Sequence, residues 1–162
     1  MKKHLMIALV VTLLFSGCVR NTETEFRSDL HAADVAAACL STVSSAEMLG
    51  AADDDYIRFR LFPDETPYQS CAVYIQNAGT SIDEIGIVQA ADGDTAALKA
   101  AVDDYLKRRN EEWTGQYLVE EYPKLRDADS KVIGSYVAYA ILSDADKEAF
   151  YASIEFLLTT KE

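Results

Sequence analysis

The chain has 162 residues, of which 27 are Asp or Glu and 15 are Lys or Arg, so its formal net charge is −12. This length suits a single domain, and 49% hydrophobic residues with only three prolines exclude a collagen-like or wholly disordered chain. The acidic balance argues against nucleic acid as a partner and against charge-driven binding to anionic lipids, because both need a basic surface.

The first 18 residues have the pattern of a bacterial lipoprotein signal. Two lysines precede an apolar run at 5–15, in which Thr12 is the only polar residue. The run is too short to span a bilayer, which takes about 20 residues. Ser16 and Gly17 then precede Cys18, which resembles the lipobox, where small residues precede a cysteine that is acylated before cleavage. An ordinary secretory peptide with an incidental cysteine is the alternative.

This pattern predicts three parts of the chain. Residues 1–17 are a signal peptide, 18–27 are the lipidated Cys18 and a short polar tether, and 28–162 form one globular domain. Nine tether residues reach at most ~30 Å. We therefore expect a domain held close to the membrane by the lipid on Cys18, on the extracytoplasmic face.

The first half of the domain predicts one helix and three strands. Ser28 can cap a helix at 29–48. Apolar and polar residues alternate in 56–62, which is typical of a half-buried antiparallel strand. Further strands are predicted at 71–76 and 84–90, separated by a turn.

The second half predicts helices around one more strand. Asp94 is a suitable cap for a helix that continues towards residue 113, and a short helix follows at 120–126. The apolar stretch 132–142 predicts a fourth strand, with Gly134 marking a bulge. A final helix begins after Ser143. We predict an α+β, two-layer sandwich: a mainly antiparallel sheet of about four strands with helices on one face.

Two cysteines remain after Cys18, and export would permit a disulfide between them. Cys39 lies in an alanine-rich helical stretch and Cys71 begins a strand pattern. A Cys39–Cys71 disulfide and two buried thiols are both open. No metal site and no cofactor are predicted, because His31 is the only histidine after the signal peptide and no close cysteine pair exists.

From Ser81 onward the chain resembles a known family. The similarity lies in residues 83–88 (DEIGIV), the charged helix 94–113, the aromatic stretch 113–122 and residues 134–137 (GSYV). These resemble the bacterial lipoprotein domain called domain of unknown function 4358. The resemblance implies a membrane-anchored envelope protein, mostly of Firmicutes, and supplies no catalytic residue.

The acidic residues could form two kinds of site, a pair of hydrolytic carboxylates or a calcium site. Paired carboxylates hydrolyse glycosidic bonds, and the candidate residues are Glu84, Glu111, Glu112, Glu120 and Glu121. Residues 53–55 and 92–94 are rich in aspartate, as calcium requires, but lack the alternating ligands of a calcium loop. Solvated surfaces, turns and helix caps account for most of these acids.

The aromatic residues offer a candidate binding patch. Trp113, Tyr117 and Tyr122 follow the long helix in a less regular segment, and an exposed aromatic patch would mark a contact surface, whereas packing against the sheet is the alternative. With no catalytic set, we predict a non-enzymatic binding or scaffolding module whose partner is an envelope protein or peptide. The alternatives are an envelope (peptidoglycan) hydrolase using Glu84 and Glu120, or a calcium-responsive structural module.

Overall fold

The computed structural model describes residues 25–159, which form one antiparallel sheet and five helices. The strands are β1 Leu49–Ala51, β2 Tyr68–Gln76, β3 Glu84–Ala90, β4 Asp129–Ile133 and β5 Tyr136–Ile141. The helices are α1 Ala32–Leu40, α2 Asp54–Tyr56, α3 Thr95–Glu111, α4 Tyr122–Arg126 and α5 Asp144–Thr159. The spatial order of the strands is β1-β2-β3-β5-β4. The predicted signal peptide and Cys18 lie outside the described residues, and within 25–159 no helix is long and apolar enough to cross a membrane.

The α+β class and the antiparallel sheet are confirmed, but helices cover both faces of the sheet where the prediction placed them on one. Every residue of β3 and β5 is buried, because side chains that alternate between the two faces meet a separate core on each. On one face α1 and α5 contribute to a core with Ile85 and Ile87. On the other face α3 packs in a second core with Val88. Continuous apolar strands of this kind are typical of a sheet covered on both sides.

The strand predicted at 56–62 is wrong, because this segment is helical. The Asp53 side chain accepts a hydrogen bond from the Tyr56 N–H at 2.7 Å and caps α2, which continues into a π-helical turn, Ile57–Leu61. Ile57 and Leu61 are buried, whereas Phe59 is 60% exposed. The apolar residues that serve the core are therefore spaced by four, as in a helix, and not by two.

The single strand predicted at 132–142 is a hairpin of β4 and β5. Val132 pairs with Val137, and residues 134 and 135 make a two-residue turn. Gly134 has φ +60, which a turn of this length requires at its first position. What was predicted as a bulge is therefore the point where the chain reverses.

The first helix is shorter than the predicted 29–48. It ends at Leu40, where the Thr42 hydroxyl donates to the Cys39 carbonyl at 2.7 Å. Ser and Thr side chains offer the backbone such alternatives to helical bonds. The strand predicted at 84–90, the Asp94 cap and the final helix are confirmed, and so is the short helix near 120–126.

The sheet has two ends that position the candidate sites. The last residues of the predicted tether enter at one end, where Phe26 packs against the β4–β5 turn at Gly134. The turn between β2 and β3, which contains Gly79, lies at the opposite end, because β3 begins there and ends beside Tyr136. We call these the Phe26 end and the Gly79 end.

Candidate functional site

Glu84 is the centre of a buried polar cluster. The residue is 1% exposed, and its Oε1 accepts hydrogen bonds from the Tyr105 hydroxyl at 2.5 Å and the Tyr139 hydroxyl at 2.7 Å. Its Oε2 lies 3.1 Å from the Tyr56 hydroxyl, which also shares a 2.7 Å hydrogen bond with the Tyr105 hydroxyl. Arg109 Nη2 lies 3.5 Å from the same Oε2. We call these five residues the Glu84 cluster.

Four elements build the Glu84 cluster. Glu84 opens β3 on the face that α2 and α3 cover, and these helices supply Tyr56 and Tyr105. Tyr139 comes from the neighbouring strand β5, and its ring lies over Gly86, where a Cβ would overlap it. The rings of Tyr105 and Tyr139 meet edge-on at 5.6 Å. The cluster therefore ties two helices to the middle of the sheet.

Burial raises the pKa of all three tyrosines. The pKa of Tyr56 rises to about 12, mainly by burial and then by the nearby Glu84 charge. The same two causes hold the pKa values of Tyr105 and Tyr139 well above the usual range. The phenols are therefore hydrogen-bond donors at neutral pH, which is the state that a buried carboxylate needs around it.

The enclosure of Glu84 separates it from the other carboxylates proposed for hydrolysis. Glu120, Glu111 and Glu112 are exposed, and Glu112 pairs with Arg60 at 3.0 Å. A substrate that reached Glu120 at the surface would not touch Glu84 unless the tyrosines moved apart. The structure does not bring the predicted acid and base together.

A second polar cluster lies at the Gly79 end. Lys124 Nζ bonds to Asp83 Oδ1 and to Glu121 Oε2, both at 2.7 Å. Asp83, only 5% exposed, also accepts from the Ser45 hydroxyl at 2.5 Å, and Glu121 accepts from the Ser81 hydroxyl at 2.8 Å. Burial lowers the pKa of Lys124, but its hydrogen bonds to the two carboxylates outweigh this and raise the pKa. Lys124 is thus a cation, and not a base for a nearby serine.

The disulfide proposed between Cys39 and Cys71 is not formed. Both thiols are free, and they belong to the two cores on opposite faces of the sheet. Cys39 points into the core beneath α1, whereas Cys71 faces the core of α3, so the sheet separates them. Burial raises the pKa of Cys71 to about 12 and also raises that of Cys39, which leaves both as unreactive thiols at neutral pH.

The predicted aromatic patch divides into a packed part and an exposed part. Trp113 and Tyr122 are half-buried and stack with ring centroids 6.0 Å apart. Tyr117 is 66% exposed and Val119 is 59% exposed, on either side of Leu118, which has the left-handed φ of +52. The Tyr117 hydroxyl donates to the Gly79 carbonyl. We call residues 113–122 the aromatic segment.

The two aspartate-rich stretches serve as turns and caps. Asp53 caps α2, and Asp94 caps α3 by accepting from the Ala97 N–H at 3.2 Å. Asp92 lies in the turn before α3 with φ +52. Within residues 25–159, no group of three or more His, Cys, Asp or Glu is placed to hold a metal ion.

The tyrosines and Arg109 of the Glu84 cluster are the site residues that the sequence does not reveal. Glu84 itself carries a signal, since an acid beside Ile85 in an otherwise buried strand needs hydrogen-bond partners. Its partners, however, lie 28, 21 and 55 positions away, at Tyr56, Tyr105 and Tyr139. No local spacing predicts such contacts.

Comparison with known proteins identifies a family and no further relative. The family model described as a domain of unknown function matches residues 52–142, more than half of the chain. No curated protein and no solved structure matches the chain. The matched segment contains Glu84 and the four side chains that surround it. On this evidence the chain belongs to the DUF4358 family of domains of unknown function.

Proposed function

We propose that the protein is a lipid-anchored binding module without enzymatic activity on the extracytoplasmic face of a bacterial membrane. The aromatic segment is its contact surface, and the partner is another envelope protein or a peptide. One observation carries this proposal: the point where the N-terminal segment joins the fold and the exposed residue Tyr117 lie at opposite ends of the sheet. A domain tethered at the Phe26 end would present the aromatic segment away from the bilayer.

The anchoring part of the proposal is supported by the sequence before the domain and by the contacts that follow it. The lipobox-like sequence ends at Cys18. Phe26 packs against the core, and the Arg27 N–H donates to the Leu158 carbonyl at 2.9 Å, so the chain is fixed to the fold from Phe26 onward. The seven residues between Cys18 and Phe26 reach at most ~25 Å. A lipid on Cys18 would therefore keep the Phe26 end near the membrane.

The contact surface is supported by apolar exposure on a fixed backbone. Tyr117 and Val119 expose most of their side chains, although apolar residues of this size gain free energy by burial. Leu118 between them adopts a left-handed conformation, which is unfavourable for a branched side chain. Exposed apolar patches mark contact sites, and strained backbone clusters at functional segments.

Three contacts hold the aromatic segment in place before any partner arrives. Trp113 and Tyr122 stack at its two ends, the Tyr117 hydroxyl binds the Gly79 carbonyl, and Glu121 bonds to Lys124 at 2.7 Å. A segment that is already ordered loses less conformational entropy on binding. Its geometry therefore favours a binding role.

The enclosure of Glu84 supports a non-catalytic role. Catalytic carboxylates must contact the substrate or a bound water, whereas the Glu84 oxygens are occupied by three hydroxyls. The residue that was the strongest candidate for acid–base chemistry is accounted for by its structural contacts.

Site-specific crosslinking tests the contact surface. A photoreactive amino acid at position 119 should give one discrete adduct in intact cells, and the matched control at Val132, another exposed apolar residue (44%), should not give that adduct. Tyr117→Ser, combined with the probe at 119, should abolish the adduct while circular dichroism remains unchanged. Identical adducts from both positions, or none from 119, would contradict the assigned surface.

Lipid labelling tests the anchor separately. Cells fed an alkyne fatty acid should label the wild-type protein and fail to label Cys18→Ala, which should also leave the membrane fraction. Cys39→Ala is the control and should be labelled like wild type. Retention of unlabelled Cys18→Ala at the membrane would remove the anchor from the proposal but leave the crosslinking result standing.

A further inference from the structure

A small cavity lies between the π-helical turn and α3, beside the Glu84 cluster. It has a volume of about 50 Å³ and is lined by six residues: Phe59, Arg60, Tyr105, Arg108, Arg109 and Glu112. Phe59, 60% exposed, lies at its outer end, and Tyr105, 1% exposed, lies at its inner end. The cavity therefore leads from the surface towards the buried carboxylate of Glu84.

Three arginines line this cavity in a chain whose net charge is −12. Two of them are occupied. Arg60 pairs with Glu112 at 3.0 Å. Arg108 pairs with Asp104 and donates to the Arg60 carbonyl at 3.0 Å.

Arg109 differs from the other two arginines. Its side chain is 26% exposed, and the one carboxylate paired with it among residues 25–159 is Glu84, at 3.5 Å. Its Nε is buried and has no hydrogen-bond partner among the described residues. A buried guanidinium N–H without an acceptor is unfavourable. The Arg109 side chain also lines the cavity, so an anion that entered it would meet a guanidinium whose paired carboxylate stands at 3.5 Å.

The surroundings select the charge and size of that acceptor. A planar carboxylate matches the donor geometry of a guanidinium, and about 50 Å³ exceeds the space that one water needs. Glu112 lines the cavity and Glu84 lies 3.5 Å from Arg109. Both would repel a dianion more strongly than a monoanion. These features favour a carboxylate over a phosphate.

We propose that this cavity is a binding site for a monoanionic carboxylate group, held by Arg109 with Arg60 at its outer rim. The carboxylate comes either from a small organic acid or from the C-terminus of a polypeptide. The site is separate from the aromatic segment, so neither proposal depends on the other.

Titration of the ¹⁵N-labelled full chain in detergent micelles tests this site. Sodium acetate, added at constant ionic strength, should shift the Arg109 Nε–H resonance in a saturable manner, and Arg109→Lys should abolish all saturable shifts. Arg58→Lys is the matched control, because Arg58 lies over the Phe59 ring without lining the cavity, and it should keep them. A linear response to acetate, or an equal response to phosphate at pH 8, would overturn the proposal.

A second variant keeps the test informative if Arg109→Lys fails to fold. Glu112→Gln removes an exposed carboxylate that borders the cavity, so it should tighten acetate binding roughly five-fold. Unchanged or weaker binding would contradict the proposed site.

Two dipeptides distinguish the two possible sources of the carboxylate. One has a free C-terminal carboxylate, and the other is the same dipeptide with a C-terminal amide. Competition with acetate by the free acid alone supports a polypeptide terminus. Acetate binding without competition by either dipeptide supports a small organic acid.

Discussion

Asp83 and Glu84 are consecutive acids, both almost inaccessible to solvent, and the fold neutralises them by different means. Asp83 contacts the Lys124 ammonium group at 2.7 Å, and the Lys124 side chain is 23% exposed. Glu84 receives three tyrosine hydroxyls, while its nearest cation, Arg109, stands at 3.5 Å. That distance exceeds an ordinary hydrogen bond.

The difference shows two ways of replacing the water that a buried carboxylate loses. At Asp83 a partly exposed cation supplies a full opposite charge, which salt can screen. At Glu84, hydroxyl dipoles within a well-packed core act in place of water. We therefore expect the Glu84 cluster to be the more stabilising and the less sensitive to salt.

The largest effect is expected for Glu84→Ala. It removes the acceptor of the buried Tyr105 and Tyr139 hydroxyls and the paired charge of Arg109, which should lower the free energy of unfolding by about 4 kcal/mol. Urea denaturation monitored by fluorescence measures this. Glu120→Ala, at an exposed acid, is the matched control and should stay within about 0.5 kcal/mol of wild type. Equal losses in the two variants would contradict a structural role for Glu84.

Asp83→Ala should lower the free energy of unfolding by less, about 2 kcal/mol, because Lys124 keeps Glu121 as a partner and can reach water. In 1 M sodium chloride its difference from wild type should shrink, while that of Glu84→Ala should not. The measurement is urea denaturation at low and high salt. If both differences shrink alike, the proposed distinction between cation and hydroxyl stabilisation is wrong.

The sequence predicted β3 and the unusual position of Glu84, but not the contacts around it. An acid at the start of an apolar strand is visible in residues 84–90. The hydroxyls that reach it come from α2, α3 and β5, and these meet only once the sheet order β3-β5 and the helix positions are fixed. Tertiary packing therefore determines which side chains contact Glu84, whereas the local sequence pattern determines the strand β3 that carries it.

The two wrong strand predictions have local causes. In 56–62 the apolar residues fit both the two-residue spacing of a strand and the four-residue spacing of a helix. The Asp53 cap stabilises the helix. In 132–142 the long apolar run hides a turn, because strands that are buried on both faces lose their alternation. A glycine at position 134 is compatible with a bulge and with a turn, and its φ of +60 is that of the hairpin turn.

Alkaline pH should weaken the Glu84 cluster through its tyrosines. A tyrosine has a pKa of about 10 when unfolded, whereas burial raises that of Tyr56 to about 12 and that of Tyr139 well above the usual range. A raised pKa in the folded state gives stability that is complete below pH 10 and is lost as pH rises towards the folded value. Each such tyrosine contributes a slope of at most about 1.4 kcal/mol per pH unit. Tyr139→Phe should reduce the slope between pH 10 and 11.5, measured by urea denaturation. An unchanged slope would contradict the assigned protonation of Tyr139.

The smallest effect is expected for Tyr56→Phe at neutral pH. Its hydroxyl makes the longest of the three contacts with Glu84, 3.1 Å, and Tyr56 is only partly buried. Water can therefore take its place beside Glu84 and beside the Tyr105 hydroxyl, 2.7 Å away, at a cost of about 0.5 kcal/mol. Tyr139→Phe removes a 2.7 Å bond in a fully buried place and should cost about 1.5 kcal/mol. Urea denaturation of both variants tests this order. If Tyr56→Phe cost as much as Tyr139→Phe, the partly buried Tyr56 hydroxyl would contribute as much through Glu84 and Tyr105 as the fully buried Tyr139 hydroxyl does. Burial would then not be what distinguishes the strong donors of Glu84 from the weak one.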